Sequence, residues 1–232
     1  MELGKSKKIT KYIVSSTMVV NAMAAPVAVF AANDKVDPAL VPAAVQELLD
    51  KGILQGDHNG NVNLEGKLTR IQVAAILARA LNLDVSKSGT VSFTDVSSDS
   101  WGLKYIASLQ NLGIMVGDNG KFRPNAYLTK EELATILVRV TQTNIVGKGN
   151  NMGISDAGQV SDWAKGYVQA ALEAGLIPSQ DGKFDPKGQI TRQQVAQVAS
   201  NFTKNVKFEE YKSSINTLLD EGKKISNSDP TV

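Results

Sequence analysis

Cysteine is absent from this 232-residue chain, and histidine occurs once, at His58. Without cysteine the protein has no disulfide framework, no thiolate nucleophile, and no zinc or iron-sulfur site built on thiolates. A single imidazole cannot supply a metal site that needs several histidines, and no Ser-His-Asp grouping is evident. We therefore expect no cofactor and no metal, and His58 is predicted to be a surface loop residue.

Clustered positive charge is missing from most of the chain. The first 31 residues hold four of the 25 basic and one of the 23 acidic residues, which leaves 21 and 22 for the remainder. Nucleic acid and anionic lipid are recognised by clustered lysine and arginine, which this near-neutral remainder lacks. The sequence therefore predicts that nucleic acid is not a partner.

The N-terminal residues follow the pattern of a secretory signal. A basic stretch precedes an apolar run over 13–30, and small residues begin at Ala31. A retained membrane anchor is the alternative, but Asn21 and Pro26 make a poor spanning helix. We expect the signal, residues 1–31, to be removed by cleavage near Ala31 and the mature protein to be secreted.

One pattern occurs three times along the chain. Its threonines are Thr69, Thr129 and Thr191, which are 60 and 62 residues apart. Each is followed three residues later by Gln or Glu, a capping box that starts a helix, and then by apolar residues at helical spacing. The aligned segments are 68–79, 128–139 and 190–199.

A second amphipathic stretch precedes each capping box and ends in Gly52, Gly113 or Gly175. Glycine at this point is typical of a helix that ends with a left-handed residue. Each repeat is therefore predicted to be helix, loop, helix. Two such helices cannot bury their apolar stripes alone, so we expect the three repeats to pack together as one unit.

The predicted fold class is all-α, with short extended pieces at most around 91–93 or 121–123. The predicted units are the signal, repeats over 32–84, 90–142 and 153–203, and a helical segment with a polar end over 206–232. Its amphipathic part is 208–219. We expect this segment to lead into a further region of a longer protein.

The second and third repeats carry a family signature. In the second it consists of Phe93, Asp95, Trp101, Tyr105, Ile106, Gly113, Ile114, Gly117, Asp118, Gly120, Lys121, Phe122, Pro124 and Thr129. In the third it consists of Asp156, Trp163, Tyr167, Val168, Gly175, Leu176, Gly182, Lys183, Phe184, Pro186, Thr191 and Arg192. The first repeat is looser, with Asp34 and Leu40 at the Asp and Trp positions. The chain over 34–202 resembles the S-layer homology (SLH) domain family in its triple form.

This resemblance implies a pseudo-threefold spindle with a groove between neighbouring repeats. It also implies a cell wall or S-layer location, through non-covalent binding of a secondary cell wall polymer that carries pyruvylated N-acetylmannosamine. In the family, a basic residue of each Thr box recognises the pyruvylated sugar. Carried over, the ligand-binding residues are Arg70, Lys130 and Arg192, with loop partners Gly56, Asp57, Gly117 and Asp118. The third repeat has Ser179 and Gln180 in place of Gly-Asp, so the groove that uses this loop is expected to bind weakly or not at all.

The position of the three basic residues also points to an anion. Each lies in the first turn of a helix, where a cation is unfavourable but where free N–H groups and the helix dipole favour a bound carboxylate. The alternative is a solvated charge or a local pair, for example with Glu131 or Asp185. Trp101 and Trp163 are assigned to the grooves as platforms for a sugar face; their alternative is a core or groove-wall position.

Other candidate sites have less support. The loop from Asp57 lacks the Gly and Glu that a calcium loop needs at its sixth and twelfth positions, so we reject calcium. Asp95 and Asp156 are predicted to cap their own helices rather than to form a glycosidase pair. Arg79 and Arg139, further along the second helices, are expected to be structural.

Three classes of function remain open for this chain. The first is a wall-anchoring module without enzyme activity. The second is the anchoring part of a cell-wall glycan hydrolase whose catalytic domain lies elsewhere. The third is a purely structural unit whose repeats bind other copies of themselves. Besides the wall polymer, self-assembly through the region that follows the chain is the other partner interaction we expect.

Overall fold

The computed structural model describes residues 40–56, 61–87, 90–204 and 206–222. Within these ranges the chain forms seven α-helices and three short 3-10 turns, and it forms no strand. The helices are α1 (Leu40–Asp50), α2 (Arg70–Ala80), α3 (Leu103–Asn111), α4 (Lys130–Thr141), α5 (Lys165–Glu173), α6 (Arg192–Lys204) and α7 (Val206–Asp220). The all-α prediction is confirmed. None of the helices in this part is both long and apolar enough to cross a membrane.

The predicted capping boxes and the predicted glycines at the ends of the first helices are confirmed in all three repeats. At the start of α2, α4 and α6, the threonine N–H donates to the side chain of the third helical residue. The distances are 2.9 Å to Gln72, 3.0 Å to Glu132 and 2.9 Å to Gln194. After the upstream helices, Gly52, Gly113 and Gly175 have φ angles of 65°, 75° and 63°. Glycine adopts this left-handed conformation without a steric penalty, so the chain can turn there towards the second helix.

The second helices of the repeats, α2, α4 and α6, form the centre of the fold. Their apolar faces meet around one small cavity of ≈ 20 Å³. The cavity is lined by Val73, Ile76, Leu77, Ala80, Leu133, Ile136, Leu137, Val195, Val198 and Ala199. These side chains are all buried, and burial stabilises the fold by about 25 cal/mol for each Å² of apolar surface removed from water.

The first helix of each repeat packs on the second helix of another repeat. Helix α3 packs on α2, α5 packs on α4, and α1 packs on α6, while α7 contacts both α4 and α6. The apolar stripe of each second helix is therefore covered by the next repeat, and the last is covered by the first. Ile215 and Leu219 of α7 are also buried.

Three backbone hydrogen bonds form a ring just before the second helices. Leu68 donates to the carbonyl of Ile190 at 3.2 Å, Ile190 to that of Leu128 at 3.0 Å, and Leu128 to that of Leu68 at 3.0 Å. The three side chains are fully buried. The ring supports the predicted spindle. The overall spindle shape and the boundaries of the repeats stay predictions. The proposed signal, residues 1–31, lies outside the described residues.

A prediction about folding follows from the ring and from the packing of each first helix on another repeat. Deleting residues 154–202 should unfold or aggregate the remainder, because the backbone partner of Leu68 is lost and the apolar faces of α1, α2 and α4 are exposed. Light scattering and urea denaturation would measure this. A monomer that unfolds cooperatively like the intact chain would show instead that the repeats are independent.

Candidate functional site: grooves between the repeats

The ring places the first turn of each second helix against a loop of another repeat. The backbone N–H of each basic residue donates to a loop carbonyl at 2.9 Å, in the pairs Arg70 with Ala126, Lys130 with Gly188, and Arg192 with Gly66. The next N–H groups donate to Pro124, Pro186 and Leu64 in the same way. The expectation that these N–H groups are free for a carboxylate is therefore wrong, because the neighbouring repeat already uses them.

Arg70 is held inside the protein. Its Nε donates to the carbonyl of Phe122 at 2.8 Å, and its Nη2 lies 3.4 Å from the carbonyl of Val116. The guanidinium also lies over the Phe122 ring, with Cζ 5.0 Å from the ring centre. Only 6% of the side chain is exposed, so Arg70 presents little of its charge to a ligand.

Glu132 neutralises Arg70. Its Oε1 accepts from Arg70 Nη1 at 2.9 Å and from Arg123 Nη2 at 3.2 Å, while its Oε2 completes the capping box with Thr129. Burial lowers the pKa of Arg70, and the Glu132 carboxylate opposes that shift. The local pair expected as the alternative to ligand binding is thus found for Arg70, although with Glu132.

Lys130 is partly exposed and pairs loosely. Its Nζ lies 3.5 Å from Oδ2 of Asp185, and 22% of the side chain is exposed. This partner is one of the two carboxylates named in the alternative, and the pair contributes about 0.2–1 kcal/mol because solvent reaches both charges. The other, Glu131, accepts from Ser161 and from Lys187 at 2.6 Å instead.

Arg192 lines an open pocket of ≈ 340 Å³. Its Nη1 donates to the carbonyl of Gln55 at 2.9 Å, the carbonyl equivalent to that of Val116 near Arg70. The pocket is also lined by Gln72 and Arg79 from α2 of the first repeat, and by Trp101 from the second repeat. Side chains from all three repeats therefore meet in this groove, and Gln72 holds the box position that Glu132 holds beside Arg70.

Both tryptophans are exposed, so the core position in their alternative is wrong, whereas the groove-wall position fits Trp101. Trp101 is 58% exposed and Trp163 is 55% exposed. Trp101 forms part of the Arg192 pocket wall and packs edge-on against Tyr105, with ring centres 6.4 Å apart. Trp163 lies on the 3-10 turn Asp162–Ala164 that precedes α5.

The loop partners have different roles. Gly56 is exposed and lines the Arg192 pocket, whereas Asp57 and His58 lie outside the described residues. Gly117 has no room for a side chain, because a Cβ there would lie 2.3 Å from the Lys121 carbonyl and 2.4 Å from Phe93. Packing therefore explains Gly117 without a ligand. Asp118 is exposed at the start of the adjoining tight turn.

The comparisons with known proteins agree with this architecture. The S-layer homology domain matches residues 92–134 and 153–196. The chain is 39% identical over 168 residues, 70% of its length, to the surface-layer 125 kDa protein of Lysinibacillus sphaericus. The chain belongs to the S-layer homology domain family. It is also 26% identical over 193 residues, 81% of its length, to the S-layer protein sap of Bacillus anthracis.

Enzymes also contain regions similar to this SLH chain. It is 31% identical over 159 residues, 66% of its length, to an amylopullulanase of Thermoanaerobacterium thermosulfurigenes. The matches span only 14% of the Lysinibacillus protein, 24% of sap and 8% of the amylopullulanase. The chain thus corresponds to a small part of each of these relatives.

The two SLH aspartates do not cap their own helices as predicted. The Asp95 carboxylate accepts from the N–H groups of Phe122 and Arg123 at 2.8 and 2.7 Å. Asp156 accepts in the same way from Phe184 and Asp185, at 2.9 and 2.7 Å. Arg123 and Asp185 have φ angles of 59° and 56°, so these carboxylates hold a left-handed turn that non-glycine residues rarely adopt.

Sequence reasoning missed the part of the groove that α2 supplies. Gln72 was assigned only a capping role and Arg79 only a structural one, yet both line the Arg192 pocket. Their separation of seven residues is two helical turns, which places them on one face. That spacing could have identified them, but only with the knowledge that Arg192 packs against this face.

Glu132 generates a prediction about stability. Glu132→Gln keeps a capping side chain, as in the other two SLH repeats, but leaves Arg70 buried without its carboxylate. We expect a loss of about 3 kcal/mol in the free energy of unfolding, measured by urea denaturation. Glu65→Gln, at an exposed acidic residue, is the control and should change it by less than about 0.5 kcal/mol. Equal effects would contradict the structural role of the Arg70–Glu132 pair.

Asp95 generates a prediction about pH. Partial burial opposes its ionisation, but hydrogen bonds from Phe122 and Arg123 outweigh burial and lower the pKa of Asp95 below its ordinary 3.8. The carboxylate therefore stabilises the fold above pH 3.8, and this contribution is lost as the pH falls through the lowered folded-state pKa. Asp95→Asn should cost about 1.5–3 kcal/mol at neutral pH and flatten the acid dependence of unfolding.

The control for Asp95→Asn is Asp118→Asn, at an exposed aspartate in the neighbouring turn. It should leave both the stability and its acid dependence nearly unchanged. If Asp95→Asn unfolds at the same urea concentration as wild type from pH 7 to pH 3, the carboxylate does not hold the loop.

Proposed function

We propose that this chain anchors a longer surface protein to the cell by binding an anionic glycan of the wall. Membership of the SLH family supports surface anchoring, and its S-layer relatives fit a secreted, wall-associated or surface-layer location. The proposed ligand is the secondary cell wall polymer with pyruvylated N-acetylmannosamine. The pocket at Arg192 is the observation that carries this proposal.

The chemistry of the pocket suits an acidic sugar. A pyruvate ketal presents a fixed carboxylate, which a guanidinium such as that of Arg192 can bind through two parallel hydrogen bonds. The amide side chains of Gln72 and Asn63, both at the pocket, can donate to and accept from sugar hydroxyls. The exposed indole of Trp101 offers an apolar face for the ring.

The three basic residues are proposed to have unequal roles. Arg192 is the main ligand cation, because it lines the open pocket together with side chains of the other two repeats. Arg70 is chiefly structural, because Glu132 and two carbonyls occupy its guanidinium. Lys130 offers a point charge beside Asp185, in the groove whose loop carries Ser179 and Gln180. We infer that this third groove binds weakly.

The second candidate function is anchoring of a wall glycan hydrolase. The similarity to an amylopullulanase favours it, and it requires the same wall-binding role from this chain. Asp95 and Asp156 do not supply its chemistry in our proposal, because backbone N–H groups already occupy their carboxylates. A turnover assay on wall glycan with the full-length protein distinguishes an anchored enzyme from a surface-layer protein.

Wall binding provides the test of the proposed function. Residues 32–232 should co-sediment with purified cell walls, and binding should disappear when the secondary polymer or its pyruvate is removed. Arg192→Gln should weaken binding to intact walls about tenfold to a hundredfold, the effect of losing one charge-assisted contact of about 1.5–3 kcal/mol.

Controls separate this result from trivial explanations. Lys51→Gln removes a surface charge that pairs with Glu47 on α1 and should bind like wild type. Sedimentation without walls reports self-association, the property expected of a purely structural unit. Equal retention on stripped peptidoglycan, or undiminished binding by Arg192→Gln, would contradict the proposed function.

A further inference from the structure

The Arg192 pocket contains a second guanidinium, that of Arg79. Arg79 Nη2 donates to the Tyr105 hydroxyl at 3.0 Å, and Cζ lies 5.0 Å from the centre of that ring. Among the residues that the structure describes, no carboxylate forms an ion pair with it. Packing against Tyr105 therefore orients Arg79 but leaves its charge uncompensated within this part of the protein.

The two arginines approach the pocket from opposite ends of α2. Arg192 is held near the start of α2, because its N–H donates to Gly66 and the preceding Thr191 pairs with Lys67. Arg79 lies in the last turn of α2. Gln72 and Arg79 are seven residues apart, which corresponds to about 10 Å along a helix.

Neutral groups occupy the space between these ends. Ala75 and Ile76 form an apolar floor on the same face of α2, and Gln72 contributes an amide. Trp101 stands at the Arg79 end, since its ring packs edge-on against Tyr105, which Arg79 overlies. In the described part of the pocket wall, neutral side chains and the indole of Trp101 therefore lie between Arg192 and Arg79.

The equivalent arginine of the second repeat is placed differently. Arg139 lies over Tyr167 at 5.2 Å and is only 8% exposed. Its Nε is buried without a hydrogen-bond partner among the described residues, so Arg139 lies within the packing rather than at an open pocket. Stacking on a tyrosine is therefore common to both arginines, whereas Arg79 also lines an open pocket.

We propose that the pocket binds a glycan segment with two anionic groups, one at Arg192 and one at Arg79. This rests on the proposed function, and it adds that the groove selects the spacing of negative charges along the polymer. The ligand class is an acidic oligosaccharide of at least two sugars, with carboxylate or phosphate groups on separate units. A single charged sugar occupies only the Arg192 end.

Calorimetric titration with two defined probes tests this. One is the methyl glycoside of N-acetylmannosamine with a 4,6-pyruvate ketal, and the other is a disaccharide of two such units. Wild type should bind the disaccharide at least tenfold more tightly, with a steeper loss of affinity as salt is added. Arg79→Gln should abolish this advantage and change the affinity for the monosaccharide by less than twofold, whereas Arg79→Lys should retain part of it.

The matched control is Lys104→Gln, because the Lys104 ammonium also lies over the Tyr105 ring, at 5.2 Å, without lining the pocket. It should keep the full preference for the disaccharide. Should Arg79→Gln fail to fold, the Nε–H resonance of Arg79 in wild type gives the answer: it should shift with the disaccharide and not with the monosaccharide.

The outcomes separate the two proposals. Equal affinity of wild type for both probes, or a preference that survives in Arg79→Gln, overturns the two-charge inference and leaves the proposed function intact. The same holds if the Arg79 resonance does not respond to the disaccharide. If neither probe binds wild type, the proposed function fails and the inference fails with it.

Discussion

The backbone ring of Leu68, Leu128 and Ile190 is the constraint from which the other features of this protein follow. It brings the start of each second helix against a loop of another repeat, where carbonyls accept N–H groups that a helix end otherwise leaves without partners. The same arrangement directs the apolar faces of α2, α4 and α6 to a shared centre. At Arg192 a basic residue, a loop and a tryptophan from different repeats converge to form an open pocket.

The elements of the fold could be predicted because their signals are local. A capping box or a glycine after an apolar stripe acts within a few residues, so Thr69, Gly113 and their equivalents revealed the helix ends directly. Which helices pack together could not be read in this way. The contact between α1 and α6 joins the first and last repeats, and no short-range pattern encodes it.

In the candidate site, too, contacts between repeats could not be predicted from local sequence patterns. Arg70 and Arg192 each follow a capping threonine, so the sequence makes them look equivalent. Their surroundings differ at the third position of another repeat's box, where Glu132 binds Arg70 and Gln72 lines the Arg192 pocket. Comparing each basic residue with its own box could not reveal this, because the relevant partner belongs to the neighbouring box.

The choice of glutamate or glutamine at the third helical position therefore changes the surroundings of a basic residue in another repeat without changing the fold. Glutamate and glutamine both complete the capping box, and the local helix start does not distinguish them. Across the groove Glu132 also forms an ion pair with Arg70, which an amide side chain could not form. Repetition thus supplies three similar frameworks, and single residues determine how each one is used.

The position of Arg192 has a mechanical consequence. It is the first residue of α6, and α6 is followed by α7 at the end of the described chain. Tension applied beyond α7 would pass into α6, which precedes α7 in the chain, and into α4, which α7 also contacts. The path through α6 leads to the residue proposed to bind the wall glycan. Contacts of α6 with α1 and α2 would share that load with the first repeat, away from the point where the force arrives.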